Sequence, residues 1–349
     1  MGGKLHPAAI TLFTLIALMA ITTLRSFSSS TTILTFSPLE TVSVSGQPLT
    51  VNLSLNNVAN LNAWQITVSF NPKILNCITA WIPENNIFKG YTIISPTPKI
   101  DNTKGQITMF AAIEESVGVS GSGILCTIQF EAKTLGACTL TFLNPMKFQL
   151  DGTYLQDPNY NLIPFETTIG VVQIKGSNFT ENTFTINYGT ETLKIKTLSN
   201  STISNLNYDP TTETLYYTAT GPDGTKGACI ITIPQKIMNT TLIVLSDNTP
   251  LKTFIEELNT LPKNGTHNFL YYAYTHTTHT IKILQTTLGD ITGDRIVDVL
   301  DVAITSKSFG LTPTSPNYRP VADINQDEIV DIQDIAIISR NFGKSFPPE

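Results

Sequence analysis

Residues 46–75 read GQPLTVNLSLNNVANLNAWQITVSFNPKIL and contain two segments in which apolar and polar residues alternate. The apolar members are Val51, Leu53 and Leu55 in the first segment and Ile66, Val68 and Phe70 in the second. Because successive side chains of a strand point to opposite faces, this period of two predicts two β-strands that each bury one face.

Similar runs occupy the rest of residues 32–175. They are GQITMFAA (105–112), GILCTIQFEA (123–132) and CTLTFL (138–143), and turn-forming residues separate them. Closely spaced short strands with such breaks are typical of a β-sandwich. We therefore predict a first β-sandwich over residues 32–175.

This region resembles the cohesin family. Phe70-Asn71-Pro72, with Leu75 after it, matches the family's aromatic-Asp-Pro turn with Asn in place of Asp, and residues 123–130 fit G-x-L-x-x-I-x-F. The resemblance covers nearly all of residues 32–175 and implies a jelly-roll β-sandwich that binds a dockerin-bearing protein. Related sandwiches that bind carbohydrate share much of the pattern, so a glycan-binding domain is the alternative.

Residues 177–286 form a second β-rich region. Tyr188-Gly189 and GPDG (221–224) are turn signals, and LKTFIEELNTL (251–261) is the candidate for a short helix. We predict an accessory β-sandwich whose composition indicates no chemistry.

The charge of the chain is concentrated near its C-terminal end. Only 14% of the residues are charged, compared with about 25% in an ordinary soluble domain. Residues 288–349 carry ten acids and five bases, a net of −5, whereas the other 287 residues carry seventeen acids and sixteen bases, a net of −1. The absence of a Lys/Arg cluster argues against nucleic acid as a partner, and the absence of a Cys/His pattern argues against a zinc module.

The C-terminal region repeats itself with an offset of 33 residues, since GDITGDRIVDVLDVAITSKSFG (289–310) aligns with ADINQDEIVDIQDIAIISRNFG (322–343). Each copy places oxygen-bearing side chains at positions 1, 3, 5, 9 and 12 of a loop of about twelve residues, and Ca²⁺ takes such ligands together with the carbonyl of position 7. The candidate ligands of the first loop are Asp290, Thr292, Asp294, the Ile296 carbonyl, Asp298 and Asp301. Those of the second loop are Asp323, Asn325, Asp327, the Ile329 carbonyl, Asp331 and Asp334.

We therefore predict two bound calcium ions. The simpler interpretation is a solvated acidic face with helix caps, but four carboxylates in so short a loop would repel one another without a cation. Apolar residues continue at helical spacing after each loop, and Gly310 and Gly343 fit the ends of two short helices.

The duplicated loop and helix, with Asp at position 12, resemble a dockerin domain over residues 288–349. Position 6 of such loops is normally Gly because the chain turns sharply there, but this sequence has Arg295 and Glu328. A left-handed backbone costs a non-glycine residue about 1–2 kcal/mol, so we expect reduced calcium affinity in both loops. Thr292 is a weaker ligand than Asn325, and we expect the second loop to bind more tightly.

By the same resemblance, positions 10, 11, 17 and 18 of each repeat contact a cohesin-bearing partner. They are Val299, Leu300, Ser306 and Lys307 in the first repeat and Ile332, Gln333, Ser339 and Arg340 in the second. The alternative is an ordinary solvated helix face.

Residues 8–24 (AAITLFTLIALMAITTL) are an unbroken run of apolar residues and Thr. The run predicts export through a secretory signal or an N-terminal membrane anchor within residues 1–30, and the sequence does not separate the two. Five sequons are candidate glycosylation sites: Asn52, Asn178, Asn200, Asn239 and Asn264. The four cysteines, Cys77, Cys126, Cys138 and Cys229, fit buried hydrophobic positions or a disulfide in an oxidising compartment.

No catalytic motif is evident. His276 and His279 form an H-x-x-H, but residues three apart on a strand point to opposite faces, which argues against a shared metal. The paired acids at 114–115 and 256–257 are adjacent in sequence and do not form the opposed pair that glycoside hydrolysis requires. Trp64 and Trp81 fit either core positions or a surface that stacks on sugar rings.

The leading hypothesis is an exported, non-catalytic scaffold or adaptor whose partners are cohesin- or dockerin-bearing proteins. By resemblance, such assemblies at the cell surface are connected with polysaccharide degradation. The alternative is a carbohydrate-binding or adhesion protein that uses the first sandwich. An enzyme subunit acting on polysaccharide is a third hypothesis, for which no pair of carboxylates is a candidate.

Overall fold

The computed structural model describes residues 31–251, 253–254 and 266–347. It is mostly β, with 52% of residues in strands and 7% in helices, which confirms the predicted fold class of β-sandwiches followed by a small helical module. In the described part of the chain, no helix is both long and apolar enough to cross a membrane. The predicted signal or anchor, Asn264 and most of the predicted helix at 251–261 lie outside the described residues.

Two sheets make up the first sandwich, and their thirteen strands run from Ile33 to Lys175. The strands are β1 (Ile33–Ser37), β2 (Glu40–Val44), β3 (Pro48–Leu61), β4 (Ala63–Ser69), β5 (Leu75–Trp81), β6 (Ile93–Ile94), β7 (Lys99–Asp101), β8 (Gln106–Ile113), β9 (Val119–Ala132), β10 (Gly136–Phe142), β11 (Tyr154–Gln156), β12 (Glu166–Thr167) and β13 (Gly170–Lys175). One sheet has the order β12-β1-β3-β9-β5, and the other has the order β2-β13-β10-β4-β8-β6 with β11 beside β4 and β7 beside β8. The parallel pairs β1/β12 and β2/β13 join the beginning of this sandwich to its end.

The core of the first sandwich lies between these two sheets. The alternating residues of the opening stretch are all buried: Val51, Leu53, Leu55, Ile66, Val68 and Phe70. Each aliphatic side chain buried in this way contributes about 1.5–3 kcal/mol relative to an exposed one. Trp64 belongs to this core, whereas Trp81 at the end of the edge strand β5 is 40% exposed.

The second sandwich also consists of two sheets. Its strands are β14 (Thr180–Tyr188), β15 (Glu191–Ser199), β16 (Thr202–Asp209), β17 (Thr214–Thr220), β18 (Lys226–Pro234), β19 (Thr241–Ser246), β20 (Thr249–Leu251), β21 (Thr253–Phe254), β22 (His267–Thr275) and β23 (Thr278–Thr286). The orders are β14-β15-β18-β22-β21 and β16-β17-β23-β19-β20. Tyr217, Tyr272, Ile231 and Val244 are among the residues buried between the sheets.

The C-terminal module contains α1 (Val299–Lys307), a 3₁₀ turn (Pro320–Ala322) and α2 (Ile332–Asn341). Its own small core consists of Ile291, Val297, Ala322, Ile324, Val330 and Ile338. Position 8 of each loop pairs with the segment that follows the helix of the other repeat. The Gly310 N–H donates to the Val330 carbonyl at 2.7 Å, and the Gly343 N–H donates to the Val297 carbonyl at 2.8 Å. The two repeats are therefore interlocked through equivalent backbone bonds.

Candidate calcium loops and helix faces

The first side chain of the first loop, Asp290, is buried and organises the turn around itself. One of its carboxylate oxygens accepts from the Gly293 N–H at 2.7 Å and from the Thr292 hydroxyl at 3.1 Å. The other oxygen accepts from the Arg295 N–H at 2.8 Å and from the Thr286 hydroxyl. These bonds curl residues 290–295 around one carboxylate, as a loop that surrounds a cation requires.

The last acid of each loop has the same role in the two repeats. Asp301 is fully buried and accepts from the N–H groups of Ile291, Thr292 and Asp298 at 2.9, 3.1 and 2.8 Å. Asp334 is fully buried and accepts from the N–H groups of Ile324, Asn325 and Asp331 at 2.7, 3.1 and 2.9 Å. Each of these carboxylates therefore ties the start of its loop to the start of the following helix.

The acid at position 9 begins the helix in each repeat. Asp298 is the N-cap of α1 and accepts from the Leu300 N–H at 2.7 Å, and Asp331 is the N-cap of α2 and accepts from the Gln333 N–H at 2.7 Å. With Asp301 or Asp334 at the third helical position, each pair forms a capping box. The helix-cap interpretation thus accounts for Asp298, Asp301, Asp331 and Asp334, whereas the buried Asp290 and Asp323 cap neither helix.

The backbone at position 6 is left-handed in both loops. Arg295 and Glu328 each have a φ of 72°, so the strain expected for non-glycine residues is present twice. Position 4 is left-handed as well, with Gly293 at 79° and Gln326 at 61°. This second bend was not predicted from the sequence, although Gly293 was a signal for it. The second loop contains two strained non-glycine positions where the first contains one.

The electrostatics of the loops favour a cation. Burial raises the pKa of the Asp301 carboxyl, and the nearby charge of Asp290 raises it further. The pKa of Asp334 is raised in the same way by burial and by Asp323. The ion pairs of the described residues, Lys73–Glu328, Lys236–Glu191 and His279–Asp247, include none of Asp290, Asp301 and Asp334. Buried oxygen ligands with excess negative charge fit a calcium ion.

The remaining predicted ligands lie at the outer part of each loop. Asp294 accepts from the Ile296 N–H at 3.0 Å, and Asp327 accepts from the Ile329 N–H at 3.1 Å. Asn325 donates through its amide to Asp327 at 2.9 Å. Within residues 31–251, 253–254 and 266–347, no three His, Cys, Asp or Glu side chains converge closely enough to hold a metal as they stand. The candidate ligands of each loop therefore lie within one short segment, and several of their carboxylates accept from backbone N–H groups.

The eight predicted partner contacts all lie on the exposed surface of the helices. Val299, Leu300 and Ile332 are 64%, 54% and 65% exposed. The others, Ser306, Lys307, Gln333, Ser339 and Arg340, are exposed as well. These side chains are therefore accessible on the surface of the module.

The other candidate residues have local partners. His276 is buried, and its ring nitrogens lie 2.7 Å from the Ser201 hydroxyl and 2.6 Å from the Thr225 hydroxyl. His279 lies 2.6 Å from Asp247. His276 belongs to the turn between β22 and β23, so the premise that both histidines lie on one strand was wrong.

The cysteines and sequons are distributed over both sandwiches. The four cysteines are all buried. Asn178 and Asn239 are exposed, whereas Asn52 is half-buried and accepts from the Thr127 hydroxyl at 2.8 Å. The Asn200 amide bonds to the Lys226 carbonyl and to the Ala228 N–H at 2.8 and 2.9 Å. Glycosylation of Asn200 would remove one of these amide bonds, so Asn178 and Asn239 are better candidates among the described residues.

Two family models match the chain. Residues 38–155 match the cohesin domain, and residues 288–343 match the dockerin type I domain. No curated protein matches.

Several solved cohesin structures are similar. One is a non-cellulosomal cohesin from Archaeoglobus fulgidus, with 18% identity over 42% of this chain and 91% of that chain, at a TM-score of 0.33. Another is a type II cohesin from Acetivibrio cellulolyticus, with 16% identity over 41% and 95% and a TM-score of 0.36. A third is from a type I cohesin–dockerin complex of Clostridium thermocellum, with 14% identity over 42% and 99% and a TM-score of 0.34.

Cohesin and dockerin domains are non-catalytic interaction modules, and dockerin type I domains bind calcium. Their presence on one polypeptide supports protein–protein assembly of the cohesin–dockerin type. The chain thus carries a cohesin domain at residues 38–155 and a dockerin type I domain at residues 288–343, separated by a second β-sandwich.

Proposed function

We propose that this chain is an exported, non-catalytic adaptor that uses its dockerin domain to bind a cohesin-bearing protein and its cohesin domain to bind a dockerin-bearing one. The observation that carries the proposal is the combination of both modules with helix faces that remain exposed in the folded chain. The apolar run at residues 8–24 supports export. Modules of this kind typically act outside the cell or on its surface.

Each loop binds one calcium ion in this proposal. Asp290, Thr292, Asp294, Ile296, Asp298 and Asp301 hold the first, and the equivalent residues from Asp323 to Asp334 hold the second. A bound ion supplies the positive charge that balances the buried carboxylates. The bonds from Asp301 and Asp334 to the first residues of their loops and helices then transmit the ordering of each loop to the helix that follows it.

The duplicated helices provide two equivalent faces for a partner. Ser306-Lys307 on α1 corresponds to Ser339-Arg340 on α2, and Val299 corresponds to Ile332. Because the chemistry of the two faces matches, a partner fits either face after a rotation of the module by about half a turn. We propose that the cohesin partner binds one face at a time.

A chain that carries both modules has the components of head-to-tail assembly. If its dockerin fits the cohesin of another copy, the contact is heterologous and extends unless it closes into a ring. Within the described chain, Lys73 of the cohesin domain pairs with Glu328 at 3.1 Å. That contact engages a calcium loop and leaves the helix faces free.

The experiment is a pull-down from the native organism with the full chain as bait, in calcium and in EDTA. The proposal predicts calcium-dependent capture of proteins that contain cohesin or dockerin domains. A matched bait with Val299→Asp and Ile332→Asp loses the cohesin-bearing proteins and keeps the dockerin-bearing ones. Identical capture with and without calcium would contradict the proposal.

Glycan binding by the first sandwich is a second candidate, which the 40% exposure of Trp81 favours. An exposed indole presents a flat apolar surface that stacks on a sugar ring. A glycan array probed with the full chain and with Trp81→Ala tests it. Binding that disappears in the variant would support this function, and an array without signal would remove it.

A further inference from the structure

The sheet β16-β17-β23-β19-β20 has an apolar core face and an apolar patch on its other face. Its inner face contributes Val244 and Ile283 to the core of the second sandwich. On the outer face, Ile243, Leu245 and Leu284 form a separate buried cluster. A sheet that faced solvent on one side would carry polar residues there, so these three residues need a cover.

The first calcium loop is that cover. A Cβ atom added to Gly293 would lie 2.8 Å from Leu245 Cδ2 and 3.4 Å from Ile243 Cδ1. The loop backbone therefore rests directly on these side chains, and a left-handed glycine at position 4 allows the close approach.

The same face binds the side chain at position 6. Thr214, Leu284 and Ile243 are neighbours across three paired strands, so they share one face. The Arg295 guanidinium donates to the Thr212 carbonyl and, at 3.3 Å, to the Thr214 hydroxyl. It also lies 5.9 Å from the centre of the Phe346 ring. Arg295, which is strained as a loop residue, is thus used as an anchor to the neighbouring domain.

The connection between the two domains is short and bonded. Only residues 287–289 separate the end of β23 from Asp290. The Thr286 hydroxyl donates to the Asp290 carboxylate, and the Asp290 N–H donates to the Thr287 carbonyl at 3.0 Å. The first ligand of the loop is therefore positioned by the last strand of the second sandwich.

The second loop is supported differently: the 3₁₀ turn that precedes it lies beside β20 of the second sandwich. Its contact through position 6 is the Lys73–Glu328 pair, in which both side chains are 63% exposed. Such exposed pairs contribute little to stability.

We propose that the second sandwich is a platform, formed by Thr212, Thr214, Ile243, Leu245 and Leu284, that pre-orders the first calcium loop and raises its affinity for calcium. This assigns a role to residues 177–286 and rests on the proposed calcium binding. The platform also holds the dockerin domain in one orientation relative to the second sandwich. Through this support the first loop compensates for Thr292 and Arg295.

Calorimetric titration of the full chain with Ca²⁺ tests the platform. Asp323→Ala disables the second loop, so that the remaining heat reports the first. Adding Leu245→Ala should then weaken calcium binding about fivefold or more, the lower end of typical coupling between sites. In an Asp290→Ala background, the same Leu245→Ala should leave the affinity of the second loop within about twofold. Limited proteolysis around residues 287–289 should show faster cleavage in the Leu245→Ala chain.

Lys282→Gln is the matched control. Lys282 lies opposite Leu245 in the strand register and donates to Asn248 at 2.9 Å. Its replacement should change calcium affinity by no more than about twofold, since exposed charges are screened. If Asp323→Ala abolishes calcium uptake altogether, the single variant Leu245→Ala is titrated instead. It should lower the affinity of one of the two calcium-binding steps and leave the affinity of the other step unchanged.

The outcomes separate the two proposals. If the native chain takes up calcium and Leu245→Ala leaves both affinities unchanged, or weakens both loops equally, the platform proposal is overturned. The proposed calcium binding would stand in either case. No calcium uptake by the native chain overturns the calcium role itself.

Discussion

The two candidate calcium loops have the same internal geometry and different surroundings. In both loops, the last acid accepts hydrogen bonds from three backbone N–H groups, and the residue at position 9 caps a helix. The residue at position 6 is left-handed in both, with a φ of 72°. The first loop rests on a buried apolar face of the second sandwich, whereas an exposed ion pair joins the second loop to the cohesin domain. A repeat in sequence thus specifies equivalent folds, whereas the rest of the chain determines the environment of each copy.

The largest expected effect comes from what the loops share. Asp301→Ala or Asp334→Ala would leave three N–H groups without their acceptor, at about 1–3 kcal/mol for each one that stays buried. We expect either variant to unfold its repeat and, because the repeats are interlocked, to destabilise the module. Loss of the module's amide resonances in an NMR spectrum of the full chain would show this.

Asp294→Ala is the matched control, since its exposed carboxylate accepts one N–H. Its calcium-free spectrum should resemble that of the native chain. Equal disruption by Asp294→Ala and Asp301→Ala would contradict the distinct roles assigned to the two acids.

The next effect concerns the symmetry of the helix faces. Ser306→Asp with Lys307→Glu alters one face, and Ser339→Asp with Arg340→Glu alters the other. Either pair should weaken binding to a cohesin partner only a few-fold, because the other face remains, whereas all four changes together should cost about 100-fold or more if these residues dominate the contact. Binding kinetics on an immobilised partner measure this. A complete loss with one pair would show that a single face is used.

Substitutions at position 6 should change calcium affinity by a smaller amount, and they should affect the two loops differently. Glu328→Gly relieves a left-handed strain of about 1–2 kcal/mol and removes only an exposed ion pair, so calcium affinity of the second loop should rise. Arg295→Gly relieves the same strain but removes the bonds to Thr212 and Thr214, so the first loop should gain less or lose affinity. Calcium titration of both variants compares them, and an equal gain in both loops would argue against the anchor role of Arg295.

The smallest effect is a pH dependence next to the platform. The hydrogen bond to Asp247 raises the pKa of His279, and the same bond lowers the pKa of Asp247. The stabilisation from His279 is complete below its ordinary pKa of 6.5 and is lost as the pH rises through its folded value. That from Asp247 is complete above its ordinary value of 3.8 and is lost as the pH falls through its folded value. The pair therefore stabilises the turn after β19 most between these limits.

Thermal unfolding of the native chain and of Asp247→Asn checks this. The difference in Tm should be larger at pH 5 than at pH 8.5, and His279→Gln should reduce that dependence. A difference that grows with pH would reverse the assignment.

Much of the fold follows from local patterns in the sequence. One face of a strand is buried and the other is not, so apolar residues recur with a period of two in residues 49–55 and 63–70. The apolar members of that pattern are buried as expected. The helices begin at Asp298 and Asp331 because a D-x-x-D motif can form a capping box. The ends were less well predicted, because the helices stop at Lys307 and Asn341, short of Gly310 and Gly343, and the intervening Phe309 and Phe342 are more than half exposed.

The contacts between domains could not be predicted in this way. Leu245 and Leu284 were indistinguishable from core residues, since periodicity does not reveal which partner covers the second face of a strand. Arg295 was identified as a departure from glycine, but its contact with Thr212 depends on how two domains pack. The bend at Gly293 had a local signal, whereas the equivalent bend at Gln326 had none.

The proposed assembly depends on calcium uptake by both acidic loops. Calorimetric titration of the full chain with Ca²⁺, compared with the Asp290→Ala/Asp323→Ala double variant, measures that uptake. We expect heat of binding that saturates at two ions per native chain and is absent in the double variant. No binding heat from the native chain at millimolar calcium, or equal heat from both proteins, would contradict it.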